Sequence, residues 1–153
     1  MQRIVIKLGT SVLTKGTLYL KPQRMLEIVQ QISKLHSNGY EVIVVSSGAQ
    51  TAGRERLNFP DLGKSVPAKQ MLSAVGQSQL MRFYTDLFDI FEVIVAQILL
   101  TRDDLTNRVR YLNARDTLMT LIEHQIIPII NENDTIATDE IRVGDNDNHR
   151  QWQ

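Results

Sequence analysis

Four short polar stretches in this chain combine residue types that can do chemistry. In KLGTS (residues 7–11) a lysine precedes Gly9, Thr10 and Ser11, whose backbone N–H groups and hydroxyls suit an anion such as a phosphate. In SSGAQTAG (residues 46–53) small residues stand before a helical pattern, where backbone amides can approach a carboxylate or phosphate. NENDT (131–135) and VGDNDN (143–148) supply Glu132, Asp134, Asp145 and Asp147 interleaved with Asn131, Asn133, Asn146 and Asn148. Such a cluster can hold an ammonium group, orient a lysine or ligate a hard cation.

Each stretch also has a plainer account. Lys7 can lay its stem along a strand end with Gly9 making a turn, Ser46 or Ser47 can be an N-cap, and the acidic stretches can be two polar turns of a hairpin at about residues 135–143. Several named chemistries are excluded. No G-x-x-x-x-G-K-S/T loop occurs, and Lys7 precedes its glycine instead of following it. A nucleophilic serine lacks both G-x-S-x-G and a suitably placed histidine. Gly144 comes before the acids of its loop, whereas a calcium loop needs its glycine after them. The chain has no cysteine, and His36, His124 and His149 lie far apart without metal-type spacing.

The elements that must position these stretches are short β-branched runs alternating with helical patterns. Ile4 to Ile6, Val42 to Val45, Val93 to Ile98 and Ile126 to Ile130 are continuous rather than alternating, as strands buried on both faces should be. Residues 22–38 place Met25, Ile28, Val29, Ile32 and Leu35 on one helical face and stop at Asn38-Gly39. Pro67 opens a second helix carrying Met71, Leu72, Val75, Leu80, Phe83 and Leu87, with Gly76 expected to weaken its middle. Residues 108–124 repeat the pattern with Leu112, Leu118, Leu121 and Ile122. This alternation predicts an α/β fold, a three-layer sandwich whose largely parallel sheet is flanked by helices. In such sheets ligands gather at the carboxyl ends of strands, where the polar stretches stand.

Bulk composition narrows the partners. A chain of 153 residues has the length of one ordinary domain. Seventeen basic residues balance seventeen acidic ones, which points away from nucleic acid and membrane and towards a small ligand. QRIVIKLG is interrupted too soon by Lys7 for a signal peptide, and no apolar run approaches a membrane span, so a cytoplasmic protein is expected.

VIKLGTSVLT, VVSSGAQTAGRE, KQMLSAVGQSQLM, AQILLTRDDL, RYLNARDTL, IPIINENDTIATDEI and VGDNDN together resemble the amino-acid kinase family. The paired NEND and GDNDN loops resemble its glutamate 5-kinase branch in particular. The resemblance covers about residues 3–148. It implies ATP-dependent phosphorylation of the side-chain carboxylate of L-glutamate, the first step of proline biosynthesis, with Mg2+ held mainly through ATP. Carried over by resemblance, Lys7 neutralises the transferring phosphoryl and, with Gly9, Thr10 and Ser11, binds phosphate. Ser47 and Gly48 hold the glutamate, Asp134 and Asn146 contact its amino-acid end, and Asp147 orients Lys7. Gln50-Thr51 departs from the small apolar residues usual there and is expected to alter the packing of that helix. Homo-oligomers are usual in the family.

The resemblance also sets expectations about the C-terminus. Residues 1–148 are expected to be the N-terminal, substrate-binding part of the domain, incomplete at its C-terminal side, and 149–153 (HRQWQ) an aberrant tail. CAT CGG CAA TGG CAA encodes that tail, and reading from its third base gives Ser-Ala-Met-Ala, close to the family's continuation, so a frameshift is the expectation. An uninterrupted DNA reading into the tail with no downstream kinase frame would overturn it. Loss of later strands should leave apolar surface exposed and the nucleotide site incomplete. The alternative function is then a catalytically silent glutamate-binding fragment.

Overall fold

The computed structural model describes residues 2–131. The loops from Glu132 onward, the hairpin expected at 135–143 and the 149–153 tail therefore lie outside the described residues. In chain order the elements are β1 (Arg3–Leu8), α1 (Thr10–Thr14), α2 (Pro22–Ser37), β2 (Glu41–Ser46), α3 (Ala49–Arg56), α4 (Val66–Ile90), β3 (Val95–Ile98), α5 (Arg102–Thr106), α6 (Arg108–Glu123) and β4 (Ile127–Asn131). The four strands form one parallel sheet in the order β1-β2-β4-β3. The expected α/β architecture is what the chain adopts.

Strand order explains the layers. From β1 to β2 and on to β3 the chain moves one way across the sheet, then reverses to place β4 between β2 and β3. Crossovers between parallel strands are right-handed, so a reversal of direction sends the connecting helices to the opposite face. α2 and α4 accordingly pack on one face, against Val42, Val44, Ile127 and Ile129. Leu118 and Ile122 of α6 pack on the other, against Ile43, Val45 and Ile130. Full burial of each such side chain is worth roughly 1.5–3 kcal/mol relative to exposure.

Local signals set the helix ends. Pro22 and Pro67 stand in the first turns of α2 and α4, where a missing N–H costs nothing, and the Ser65 hydroxyl accepts from the Ala68 N–H. Asn38 ends α2 and Gly39 follows at φ 96°, the left-handed turn that sequence predicted. Thr101 and Asp104 close a capping box on α5.

Three expectations need correction. Only the central strands β2 and β4 are buried on both faces. At the edges Val5 is 38% exposed, because the cluster under α6 includes no residue of β1, and Ile94 and Leu99 flanking β3 are 67% and 66% exposed. Met71 and Leu112 also face outward; the buried stripe of α4 is Leu72, Gly76, Leu80, Tyr84 and Phe88. Gly76, finally, does not interrupt α4, which runs unbroken for 25 residues. It is buried where α4 crosses α3, and a Cβ there would lie 1.5 Å from the Ala49 carbonyl oxygen. Gly53 answers it from α3, its Cβ position 2.1 Å from the Leu72 carbonyl oxygen. The two glycines let the backbones meet where any side chain would hold them apart.

Candidate functional site

The site begins where β1 and β2 end together. Lys7 pairs in register with Val45 and Leu8 with Ser46, and the Ser47 N–H donates to the Leu8 carbonyl at 2.8 Å, fastening one strand exit to the other. Gly9 then serves as N-cap of α1, its carbonyl accepting from Val12 and Leu13 at 3.1 and 3.3 Å. The N–H groups of Thr10 and Ser11 stand in the first turn, where no intrahelical acceptor exists. An added Cβ at Gly9 would meet nothing within 4 Å, so open space lies in front of this backbone.

On the β2 side Gly48 caps α3 with φ 107°, a left-handed conformation that disfavours any side chain. Its α-carbon also sits on the core. A Cβ there would be 3.2 Å from Leu13 Cδ1 and 3.6 Å from Leu20 Cδ2, so α1 packs beneath the turn that carries Ser47. Neither serine caps α3, contrary to the plainer account of SSGA. Ser46 is buried, its Oγ 2.8 Å from the Ser47 carbonyl and 2.6 Å from the Tyr84 hydroxyl. Burial pushes the Tyr84 phenol above its ordinary value, offset in part by the Ser46 hydrogen bond. Tyr84 therefore stays protonated and donates to Ser46, which donates in turn to the carbonyl of Ser47.

A cleft of about 470 Å³ opens over these two exits. Lys7, Gly9 and Thr10 form one wall and Ser47 and Gly48 another, so five of the residues selected from sequence converge. Ser11 is exposed on α1 and is not among the lining residues. Asp134, Asn146 and Asp147 lie outside the described residues. Sequence reasoning missed Arg54 and Ser73, which also line the cleft, and it read Gln50 and Thr51 for helix packing alone. That pair faces the cleft, so the departure bears on the site as well as on helix packing. The signal was available, because 50, 51 and 54 follow helical spacing and place one face of α3 on the cleft. Ser73, on a different helix, left no such sign.

Lys7 and Arg54 are the charged residues among the described lining, which makes the cleft cationic. Arg54 forms no ion pair among the described residues. Also among the described residues, no group of three or more His, Cys, Asp or Glu is placed to hold a metal ion, and no helix is long and apolar enough to cross a membrane. The arrangement can take an anionic small molecule at the ends of two parallel strands.

Comparisons with known proteins agree with this geometry. Residues 2–149 match the model of the amino acid kinase family. A protein of Aliivibrio fischeri named glutamate 5-kinase is 58% identical over 147 residues, covering 96% of this chain and 40% of the relative. Glutamate 5-kinases of Herpetosiphon aurantiacus and Haemophilus influenzae are 59% and 53% identical over 145 residues each, covering 95% of this chain and 39% of theirs. The chain thus spans about 40% of the length of the curated relatives it matches. A family match over nearly all its residues, on a parallel sheet whose first two strands deliver a lysine and a glycine turn to one cationic cleft, places it plainly: the chain belongs to the amino acid kinase family.

Proposed function

We propose that the chain carries the acceptor side of a glutamate 5-kinase site, in which the γ-phosphoryl of ATP passes to the side-chain carboxylate of L-glutamate. The observation that carries this reading is the convergence of Lys7 and the Ser47-Gly48 turn on one cleft, in a chain whose relatives bear that name. A carboxylate oxygen attacks the γ-phosphorus, the bond to the bridging oxygen breaks, and ADP leaves with the electron pair. Such a transition state is loose, so positioning and charge neutralisation do most of the work. Lys7 supplies a cation at the transferring phosphoryl. The open space before Gly9 fits phosphate oxygens against the first-turn N–H groups of Thr10 and Ser11. Ser47 and Gly48 hold the acceptor carboxylate, with Asp134 and Asn146 assigned to the amino-acid end and Asp147 to orienting Lys7. Mg2+ comes with ATP, its ligands chiefly phosphate and water. A cytoplasmic setting and a place at the head of proline biosynthesis belong to the same proposal.

A second reading is favoured by the chain's span of about 40% of its relatives. In it the chain binds L-glutamate and is catalytically silent. Hydroxylamine trapping of the acyl phosphate, with ATP, magnesium and L-glutamate, separates the two. Glutamate-dependent product that disappears in Lys7→Ala establishes the kinase. No product from a folded chain that still binds L-glutamate in calorimetry establishes the silent form, and absence of both sinks the assignment.

A further inference from the structure

Arg54 lines the cleft, whereas Glu55, the next residue of α3, is half-buried and does not. Ala52 and Glu55, three residues apart, share a face of α3, and Ala52 is buried in the core cluster that also holds Leu13 and Leu20. From this position Glu55 Oε1 accepts the N–H of Leu20, which lies in the connection between α1 and α2. Leu20 is itself buried, so its amide needs an acceptor that stays inside the fold.

That single bond joins more than two residues. The 15–21 connection is tied to α1 by its own backbone: the Gly16 N–H donates to the Ser11 carbonyl at 3.3 Å, and the Lys21 N–H to the Leu13 carbonyl at 3.0 Å. It is tied to the α3 side twice. Besides the Glu55 bond, the Tyr19 ring meets Phe59 edge-on, with centroids 5.2 Å apart. Phe59 is held to the end of α3 by its N–H, which donates to the Arg54 carbonyl at 2.7 Å, and Asn58 and Phe59 are both left-handed, at φ 59° and 52°. Such backbone persists where surrounding contacts over-determine it. The consequence reaches the cleft through packing. Leu13 and Leu20 lie beneath Gly48, 3.2 and 3.6 Å from where its Cβ would stand. α1 carries Thr10 of one cleft wall and Gly48 belongs to the other, so one carboxylate cross-links the two walls from below.

We propose that Glu55 is a positioning residue of the site. By holding the Leu20 N–H it fixes Leu13 and Leu20 under Gly48, and so keeps the wall of Gly9 and Thr10 at a set distance from the turn of Ser47 and Gly48. Glu55 itself touches no ligand and acts through the two leucines. This inference rests on the reading that the cleft takes L-glutamate beside a phosphate group.

The test is calorimetric titration of wild type, Glu55→Ala and Glu55→Gln with L-glutamate and with pyrophosphate, at a temperature where circular dichroism shows each chain folded. Glu55→Ala is expected to lose roughly tenfold in affinity for both ligands, because small misplacements at a positioned site are costly. Glu55→Gln keeps an oxygen acceptor at the same reach and is expected to stay within about threefold of wild type. A Glu55→Ala chain with a lowered Tm and unchanged affinities would show a residue that serves the fold alone, and would overturn the proposal. Equal losses in the two variants would overturn it too, since glutamine can still accept from Leu20. Should Glu55→Ala fail to fold, hydrogen exchange at the wild-type Leu20 amide decides: it slows on adding L-glutamate and pyrophosphate if the cross-link supports the site, and unchanged exchange overturns the proposal. Wild type that binds both ligands with no dependence on Glu55 removes this inference alone. Wild type that binds neither removes the underlying reading as well.

Discussion

Gly76→Ala is the sharpest available perturbation, because two physical effects of opposite sign meet at that position. In an isolated helix the substitution is favourable by about 1 kcal/mol, since glycine is the poorer helix former. Here the new methyl would start 1.5 Å from the Ala49 carbonyl oxygen and 2.6 Å from the Gly53 nitrogen, both main-chain atoms, whereas ordinary contact begins near 3.4 Å. No side chain can rotate aside to relieve this, so α3 must retreat from α4 by roughly 2 Å or its start must unwind. Overpacking of a well-filled interior costs about 1–3 kcal/mol and more when backbone is involved. The clash therefore outweighs the propensity gain, and a net loss of about 2 kcal/mol is expected. For a chain of this size that lowers Tm by roughly 4–8 °C in a thermal melt. Because the Ser47-Gly48 turn leads directly into α3 at Ala49, the L-glutamate binding proposed for the cleft should weaken in the same variant. Ser78→Ala, exposed on the same helix, serves as control and should change stability by less than about 0.5 kcal/mol. A Gly76→Ala protein with a Tm at or above that of wild type would refute the crossing argument and restore the reading of Gly76 as a simple weak point.

Two further outcomes follow from the same geometry. Gly9→Ala should leave the fold nearly intact, within about 1 kcal/mol for a changed N-cap, since φ −75° suits alanine and nothing stands within 4 Å of the added carbon. The methyl would occupy the mouth of the cleft, so pyrophosphate binding measured by calorimetry should fall; unchanged binding would remove Gly9 from the phosphate assignment. Tyr84→Phe should cost about 1 kcal/mol by removing the donor to Ser46. It should also alter the alkaline limb of the stability profile. Burial raises the folded-state phenol above its unfolded value of 10.0, so folding holds a proton that the unfolded chain releases, and wild-type stability falls as pH rises above about 10. Denaturant melts between pH 8 and 11 should show a shallower decline in the variant, and identical slopes would exclude Tyr84 as the source.

Much of the fold was legible because it depends on local signals. β-Branched runs, Pro22 and Pro67 at helix starts and Asn38-Gly39 at a helix end announced β2, β4, α2 and α4 within a few residues. The carboxyl-end rule then found Lys7, Gly9, Thr10, Ser47 and Gly48 without knowledge of strand order. The failures were of another kind. Apolar residues at Val5, Met71 and Leu112 look the same in sequence whether a neighbour covers them or not, and only the position of β1 at the sheet edge and the angles of α4 and α6 decide it. Gly76 misled for the same reason, since propensity describes a helix alone and the glycine answers to a second helix. Ser73 belongs to α4, whose place beside the cleft is set by its packing on α3, and no spacing rule within one element can reveal it.

The cleft's rigidity follows from how many independent constraints converge on Ser47. Its N–H is bound to Leu8, its carbonyl receives Ser46, Ser46 is held by Tyr84, and the next residue turns in a left-handed conformation directly on Leu13. β1, β2, α1 and α4 thus each fix one side of a single turn. A group held this way need not reorganise when charge develops beside it, which is where preorganised donors contribute most. Gln50, Thr51 and Arg54 lie farther along α3 on its cleft face, and among the described residues no hydrogen bond or ion pair fastens their side chains. The division is physical: the anchored turn is the rigid part of the cleft, suited to the carboxylate-holding role proposed for it, while the less constrained face of α3 is where substitutions can retune affinity without loss of the fold.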